Sequence, residues 1–311
     1  MSERMTFEQN DLRENALVTT GLTKSYGKVR ALRGVDLLVH RGEIFGFLGP
    51  NGAGKTTTIR CLLDMIRPDG GRARVLGIDP QANPRAVQAR CGYLPGELEL
   101  FGNLTVERQL RFLSDMRGGK ADWAYARRLC KRLGLDLKQQ IKNLSKGNKQ
   151  KVGLVQALMH RPEMLMLDEP TSGLDPLMQQ EVLGLIKEAR SEGATIFFSS
   201  HLLNEVEAAT DRVAIIREGT IVEVGETKSL TRRAMHQVNV RFLAPVDFSH
   251  LRHLPGVNIL TQGDGTSVDL QVVGTMDGLV KALGAYPVSE LETSRPSLEE
   301  VFLAYYKKEN N

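Results

Sequence analysis

The sequence predicts an α/β protein built on a parallel sheet, followed by a small α+β unit. Three observations lead there. The runs Ile44-Phe45-Gly46-Phe47-Leu48, Met164-Leu165-Met166-Leu167 and Thr195-Ile196-Phe197-Phe198 have the length and apolar continuity of strands buried on both faces. A helical stretch from about Pro176 to Arg190 separates the last two, and strand, helix, strand in that order is the pattern of a parallel sheet. Beyond about residue 228 the order becomes β-α-β-β-α-β, which is ferredoxin-like.

The elements follow in order. Residues 1–15 are polar and charged and read as a loose tail. Domain 16–228 contains the strand Val35–Val39, the strand Ile44–Leu48, and a Gly-rich turn over 49–54. Thr56 to Met65 then reads as a helix ending near Arg67-Pro68-Asp69-Gly70-Gly71. Residues 98–160 are rich in Leu, Arg, Lys and Gln at helical spacing and read as a helical subdomain. Domain 229–311 reads as strand 237–243, helix 247–254, strands 257–261 and 268–273, helix 276–283, strand 288–293 and a closing helix 298–306. Gly263-Asp264-Gly265 supplies the hairpin turn between its second and third strands.

Composition bounds the function. The 311 residues suffice for two domains, and 41% hydrophobic with 25% charged residues excludes disorder for most of the chain. A net charge of +4 is too small to argue for nucleic acid. Cys61, Cys91 and Cys130 form no CxxC pair, so neither a disulfide frame nor a zinc site is suggested, and a reduced compartment fits. No apolar run approaches the ~18 residues of a membrane span, and the polar start carries no signal-peptide core.

Gly49-Pro50-Asn51-Gly52-Ala53-Gly54-Lys55-Thr56 follows the spacing Gly, any four residues, Gly, Lys, Ser or Thr, between an apolar strand and a helix. Glycines let backbone N–H groups converge on phosphate oxygens, and the helix start presents unsatisfied donors to the anion. Lys55 is placed for the β- and γ-phosphates, Thr56 for Mg²⁺, and Thr57 follows in the same turn. The fold class is therefore that of P-loop nucleoside triphosphatases. Asp168, at the carboxyl end of the Met164–Leu167 strand, is the candidate Mg²⁺ ligand. Glu169 is the candidate base for a water attacking the γ-phosphate. A solvated acidic turn after a strand is the plainer alternative for this pair.

Further motifs resemble those of ABC-transporter ATPases. Leu144-Ser145-Lys146-Gly147-Asn148-Lys149-Gln150 resembles their signature loop, Thr171-Ser172-Gly173-Leu174-Asp175-Pro176 their D-loop, and Ser199-Ser200-His201 the segment bearing their switch histidine. The resemblance covers about residues 16–228. It implies a homodimer in which ATP and Mg²⁺ lie between the phosphate loop of one copy and Ser145, Lys146, Gly147 and Asn148 of the other. It further implies that His201 senses the γ-phosphate, that Asp175 lies at the dimer interface and that Tyr26 stacks on adenine. Residue-level alternatives stand beside these: Ser145 as an N-cap, Asp175 as an N-cap or turn carboxylate before Pro176, Tyr26 as a half-buried core residue.

Two departures from the family pattern are visible. Gly96-Glu97 stands where most members carry a glutamine after the Cys91–Pro95 strand, and either Glu97 or a water is expected to substitute. Lys146 and Asn148 replace the more usual Gly and Gln of the signature. The closing segment Pro296–Tyr306 resembles that of ATPases serving type-2 exporters, including the daunorubicin-type drug exporters. The resemblance thus implies an ATP-hydrolysing subunit on the cytoplasmic face of the membrane, held there by a separate permease that exports a drug, antibiotic or lipid-like molecule. The groove beside Leu98, Leu100, Phe101 and Leu104 is its expected contact. Residues 229–311 hold 8 basic and 9 acidic residues, which argues against nucleic acid as a partner. A regulatory or soluble ATPase with weak hydrolysis is the alternative function.

Overall fold

A computed structural model describes residues 14–119, 121–233, 236–262, 264–272 and 275–294. The polar segment 1–13 and the closing helix expected over 298–306 lie outside them. The chain divides after Val224, and each unit is described by itself.

In the first unit, β3 (Ile44–Leu48), β5 (Cys91–Leu94), β6 (Met164–Asp168), β7 (Thr195–Ser200), β8 (Arg212–Arg217) and β9 (Thr220–Glu226) form a six-stranded sheet in the order β5-β6-β7-β3-β8-β9. The pairings β5–β6, β6–β7, β7–β3 and β3–β8 are parallel. Every residue of β3, β6 and β7 is buried, as their unbroken apolar runs require of strands covered on both faces. Phe45 and Phe197 stack at 5.9 Å across the β3–β7 pair, and Phe47 meets Phe197 at 5.2 Å. The helices α1 (Lys55–Leu62), α2 (Pro84–Arg90), α6 (Pro176–Ser191) and α7 (Leu203–Ala209) connect these strands. The helical subdomain consists of α3 (Val106–Met116), α4 (Trp123–Arg132) and α5 (Lys146–Leu158). Side chains of Thr105, Asp122 and Ser145 cap their starts.

A second, antiparallel sheet of β1 (Asn15–Tyr26), β2 (Val29–His40) and β4 (Gly70–Val75) is absent from the sequence reading, which saw only short runs here. The register of the β1–β2 pair shifts between Thr19 and Leu22, around Gly21 at φ 60°, so the side-chain alternation breaks inside one long strand. The helix expected to run to Met65 ends at Leu62, and Gly70-Gly71 opens β4 rather than closing a turn.

In the second unit, β10 (His236–Phe242), β11 (Val257–Gln262), β12 (Ser267–Val272) and β13 (Val288–Ser294) form an antiparallel sheet in the order β11-β12-β10-β13, the ferredoxin-like arrangement. Val238, Val240, Leu270 and Val272 share its core with Leu279 and Leu283 of α9 (Asp277–Leu283). A short α8 (Thr227–Arg233) precedes the sheet. The helix expected over 247–254 is only a 3-10 turn, Ser249–His253. Pro255 disfavours the helical conformation at the residue before it, and Leu254 is extended at φ −72° and ψ 133°, which ends the turn at His253.

Candidate nucleotide site

Register brings the site together. Asp168 pairs with Ser199 across β6–β7, and Leu48 pairs with Ser200 across β3–β7, so the three central strands end level with one another. The phosphate loop, Asp168-Glu169 and His201 therefore leave the sheet at one edge, where parallel α/β sheets hold their ligands.

Leaving β3, the loop is pinned by the Gly49 N–H, which donates to Ser200 O at 3.3 Å. Gly54 caps α1 at φ 110°, and a Cβ there would lie 2.7 Å from Ala31 O. Only glycine meets both conditions. The start of α1 carries no side-chain cap, which leaves its N–H groups available to an anion. Lys55 is buried, and its Nζ donates to Gly49 O at 2.6 Å and Pro50 O at 3.2 Å while pairing with Glu169 Oε1 at 3.1 Å. Its ammonium is thus held between the loop and the acidic strand end.

Asp168 is fully buried. Its Oδ1 accepts from Ser199 Oγ at 2.5 Å, while Oδ2 has no hydrogen-bond partner. An orphaned, buried carboxylate oxygen is costly unless a cation satisfies it, and Mg²⁺ takes one or two carboxylates together with phosphate oxygens and water. The residues therefore fit Mg²⁺, with Asp168 and the Thr56 hydroxyl as the protein oxygens. Glu169 follows at φ 53°, a left-handed conformation unusual for a non-glycine residue. The turn aims its carboxylate at Lys55 on one side and, through Oε2, at His201 Nδ1 on the other, 2.6 Å away. This overturns the solvated acidic turn: both carboxylates are held inside a network.

Sequence reasoning missed three supports. Ser199 fixes Asp168, as above. Ser200 Oγ donates to the buried Glu205 Oε2 at 2.8 Å and accepts from Leu202 N at 3.0 Å, which fixes the turn that carries His201. Gln150 Nε2 donates to Glu169 O at 3.0 Å. The Ser-Ser-His triplet was visible in the sequence, but the Ser199–Asp168 and Gln150–Glu169 partners, 31 and 19 residues apart, are set by register and packing, which carry no local signal.

The signature and D-loop residues form a second cluster. Ser145 Oγ accepts from Asn148 N at 3.2 Å, so it does cap α5. A Cβ on Gly147 would lie 2.7 Å from Gly173 O, so α5 abuts the 171–175 segment without slack. Lys146 and Asn148 are in the first turn of α5. Asp175 caps α6, its Oδ1 accepting from Met178 N at 3.0 Å, with Pro176 at the first helical position. Asp175→Ala is accordingly expected to cost about 1 kcal/mol of stability in urea unfolding of the nucleotide-free protein. An interface role appears separately, as weaker ATP-dependent dimerisation in sedimentation.

Tyr26 ends β1 with its surface 48% exposed and Lys24 Nζ 5.8 Å from the ring centroid, so the ring is no part of the core and can stack on a ligand. Gly96, not Glu97, lies over the acidic strand end: a Cβ at Gly96 would sit 3.2 Å from Asp168 Oδ2. Glu97 itself is exposed.

Many nucleotide-binding proteins share a phosphate loop and an acidic strand end. A helix starting Ser-Lys-Gly, wedged against the segment that follows the acidic pair, narrows the class to ATP-binding cassettes. Comparison with known proteins agrees. The family described as ABC transporter matches residues 32–172. The daunorubicin/doxorubicin resistance ATP-binding protein DrrA of Streptomyces peucetius is 33% identical over 308 residues, covering 93% of this chain and 92% of that protein. The chain belongs to the ATP-binding proteins of ABC transporters. It is also 37% identical over 221 residues to the probable multidrug ABC transporter ATP-binding protein YbhF of Escherichia coli, spanning 38% of that longer protein. A solved ATP-binding subunit of an ABC transporter superposes with a TM-score of 0.64 at 32% identity, covering 70% of this chain and 92% of that one.

Proposed function

We propose that this chain is the ATP-hydrolysing subunit of an exporter, acting as a homodimer on the cytoplasmic face of the membrane and driving a separate permease. The observation that carries this reading is the Lys55–Glu169–His201 network at the phosphate loop beside the orphaned Asp168 oxygen. The phosphate loop from Gly49 through Thr57 cradles the triphosphate, with Lys55 neutralising the β- and γ-phosphates and Tyr26 stacking on the base. Asp168 and Thr56 hold Mg²⁺, which supplies charge neutralisation at the phosphates when bound. Glu169 orients and deprotonates the attacking water. His201, already hydrogen-bonded to Glu169, turns its ring towards the γ-phosphate. Ser145 and the Gly147 N–H, at the start of α5, complete the site of the opposite copy, with Lys146 and Asn148 flanking them and Asp175 at the seam.

Work requires a grip on the membrane subunit. Phe101 and Phe112 meet edge to face at 5.4 Å and are 53% and 43% exposed, and Met116, one turn beyond Phe112, is 71% exposed. An apolar patch of this kind on the helical subdomain suits a short helix of a permease. No helix among the described residues is long and apolar enough to cross a membrane. The kinship with DrrA favours a drug, antibiotic or lipid-like cargo. No nucleic-acid role is assigned, and the 229–311 unit acts as an accessory dimerisation or regulatory domain.

The direct test is affinity purification from native membranes, followed by ATPase assay of the complex in lipid. An integral-membrane protein in equal stoichiometry whose presence raises turnover supports the reading. Full-rate turnover with no membrane partner defeats it. Gly96 in place of glutamine favours a second reading, a weakly hydrolysing regulatory module, which the Glu169 variant considered in the Discussion separates. Because Glu97 is exposed and Gly96 lies over Asp168, a water rather than Glu97 serves the missing glutamine's role. Glu97→Ala is therefore expected to leave ATP turnover within about twofold of wild type, measured as phosphate release.

A further inference from the structure

The backbone of Glu169 is gripped from both sides. Its N–H donates towards Ser199 O at 3.2 Å and Ser199 Oγ at 3.3 Å. Its carbonyl accepts from Ser172 N at 3.1 Å, within its own turn, and from Gln150 Nε2 at 3.0 Å. Only the last of these bonds comes from the helical subdomain. Gln150 is 6% exposed and sits in the second turn of α5, the helix that begins at Ser145.

The grip matters because Glu169 sits at φ 53°. A residue in this region persists only where its surroundings over-determine it. A change of a few tens of degrees there would swing the carboxylate off both Lys55 and His201. The same helix meets the acidic segment a second time, at Gly147 against Gly173 O, where even a Cβ would not fit. Two contacts about one helical turn apart fix α5 to the 169–173 segment as a unit, and packed elements of this kind shift together rather than deform.

We infer that Gln150 is a positioning residue for Glu169, and that through it the helix start that grips one ATP sets the aim of the base that hydrolyses the other. The inference rests on the reading of Glu169 as general base and Ser145–Gly147 as the contact to the partner's nucleotide. In the single chain this bond is already made, with Glu169 facing Lys55 and His201. Movement of α5 as Ser145 and Gly147 dock on the partner's ATP is passed by the Gln150 bond to the carbonyl, and with it to the carboxylate. Hydrolysis in the two sites is thereby linked through the 145–169 stretch of one chain, with no contact between the nucleotides.

The test is a double-mutant cycle on the full-length protein. Gln150→Leu keeps the volume but leaves the Glu169 carbonyl without this donor, and Gln150→Glu replaces the donor by an acceptor. Losing such a buried partner is expected to lower kcat about tenfold or more, with KM for ATP and ATP-dependent dimerisation within about twofold of wild type. In single-turnover measurements the double variant with Glu169→Gln should be no slower than Glu169→Gln alone, because Gln150 acts only through Glu169. A merely structural role would lower the loss additively and move KM or the melting temperature in step. The inference is overturned if both Gln150 variants turn over like wild type, if KM rises in proportion, or if the losses add. Should Glu169→Gln itself hydrolyse at the wild-type rate, the assignment of the base fails instead, and the two failures are told apart by that control. Circular dichroism and ATP binding establish which variants fold; if Gln150→Leu does not, Gln150→Glu carries the same cycle.

Discussion

Glu169→Gln is expected to bind MgATP with near wild-type affinity and to hydrolyse it at least about a hundredfold more slowly, the range that a lost general base accounts for. The substitution keeps the size of the side chain and its contact to Lys55 and His201 within hydrogen-bonding reach, but an amide cannot accept the proton of the attacking water. Because the γ-phosphate then survives, the ATP-bound dimer should accumulate, visible as a stable species of twice the protomer mass in size-exclusion chromatography with MgATP. Wild type no faster than this variant would place the protein among the regulatory, weakly hydrolysing modules. The argument depends on the geometry of one residue. At φ 53° Glu169 turns back over the phosphate loop, 3.1 Å from Lys55 Nζ and 2.6 Å from His201 Nδ1. An exposed acidic turn would place it near neither.

Much of this site was legible in the sequence, because its parts are local. The glycines of 49–54 are dictated by backbone geometry and the approach of phosphates, so they leave a fixed spacing. Met164–Leu167 is apolar throughout because β6 is covered on both faces, and that run makes Asp168 stand out at its end. What the sequence did not disclose is set by the folded neighbours. Ser199 under Asp168 and Gln150 over Glu169 depend on which strands and helices pack together, and Glu205 under Ser200, five residues on, depends on the shape of the turn between β7 and α7. The β1–β2–β4 sheet escaped for another reason: register shifts interrupt the alternation that identifies a strand. Asp175 and Ser145 show the converse. Their capping bonds were foreseeable from residue type, and those bonds leave the interface role to be decided by a second molecule.

That second molecule is tested by a pair of variants with opposite defects. Lys55→Ala removes the buried ammonium from the phosphate loop and should weaken ATP binding by tenfold or more, since hydrogen bonds to charged groups contribute about 1.5–3 kcal/mol. Ser145→Arg leaves the phosphate loop intact and should bind ATP within about threefold of wild type. A long cation at the start of α5, where Gly147 already touches Gly173, should nevertheless deny the partner's site its signature contact, so that a dimer with two such sites does not turn over. Each variant alone is then nearly inactive, for different reasons. Mixed one to one, they are expected to regain activity. In a two-fold dimer whose sites are shared, the heterodimer has one site built from the intact loop of the Ser145→Arg copy and the intact signature of the Lys55→Ala copy. Its other site carries both defects. Random pairing makes about half of the dimers mixed, with one working site in two, so recovery is capped at about a quarter of wild-type phosphate release and falls below that to the extent that Glu169 of the Ser145→Arg copy depends on its own α5. If each copy held a complete site of its own, every chain in the mixture would still carry its defect, and mixing would recover nothing. The recovered rate should also fall with the square of protein concentration on dilution, because the working site exists only while two copies are closed on one another.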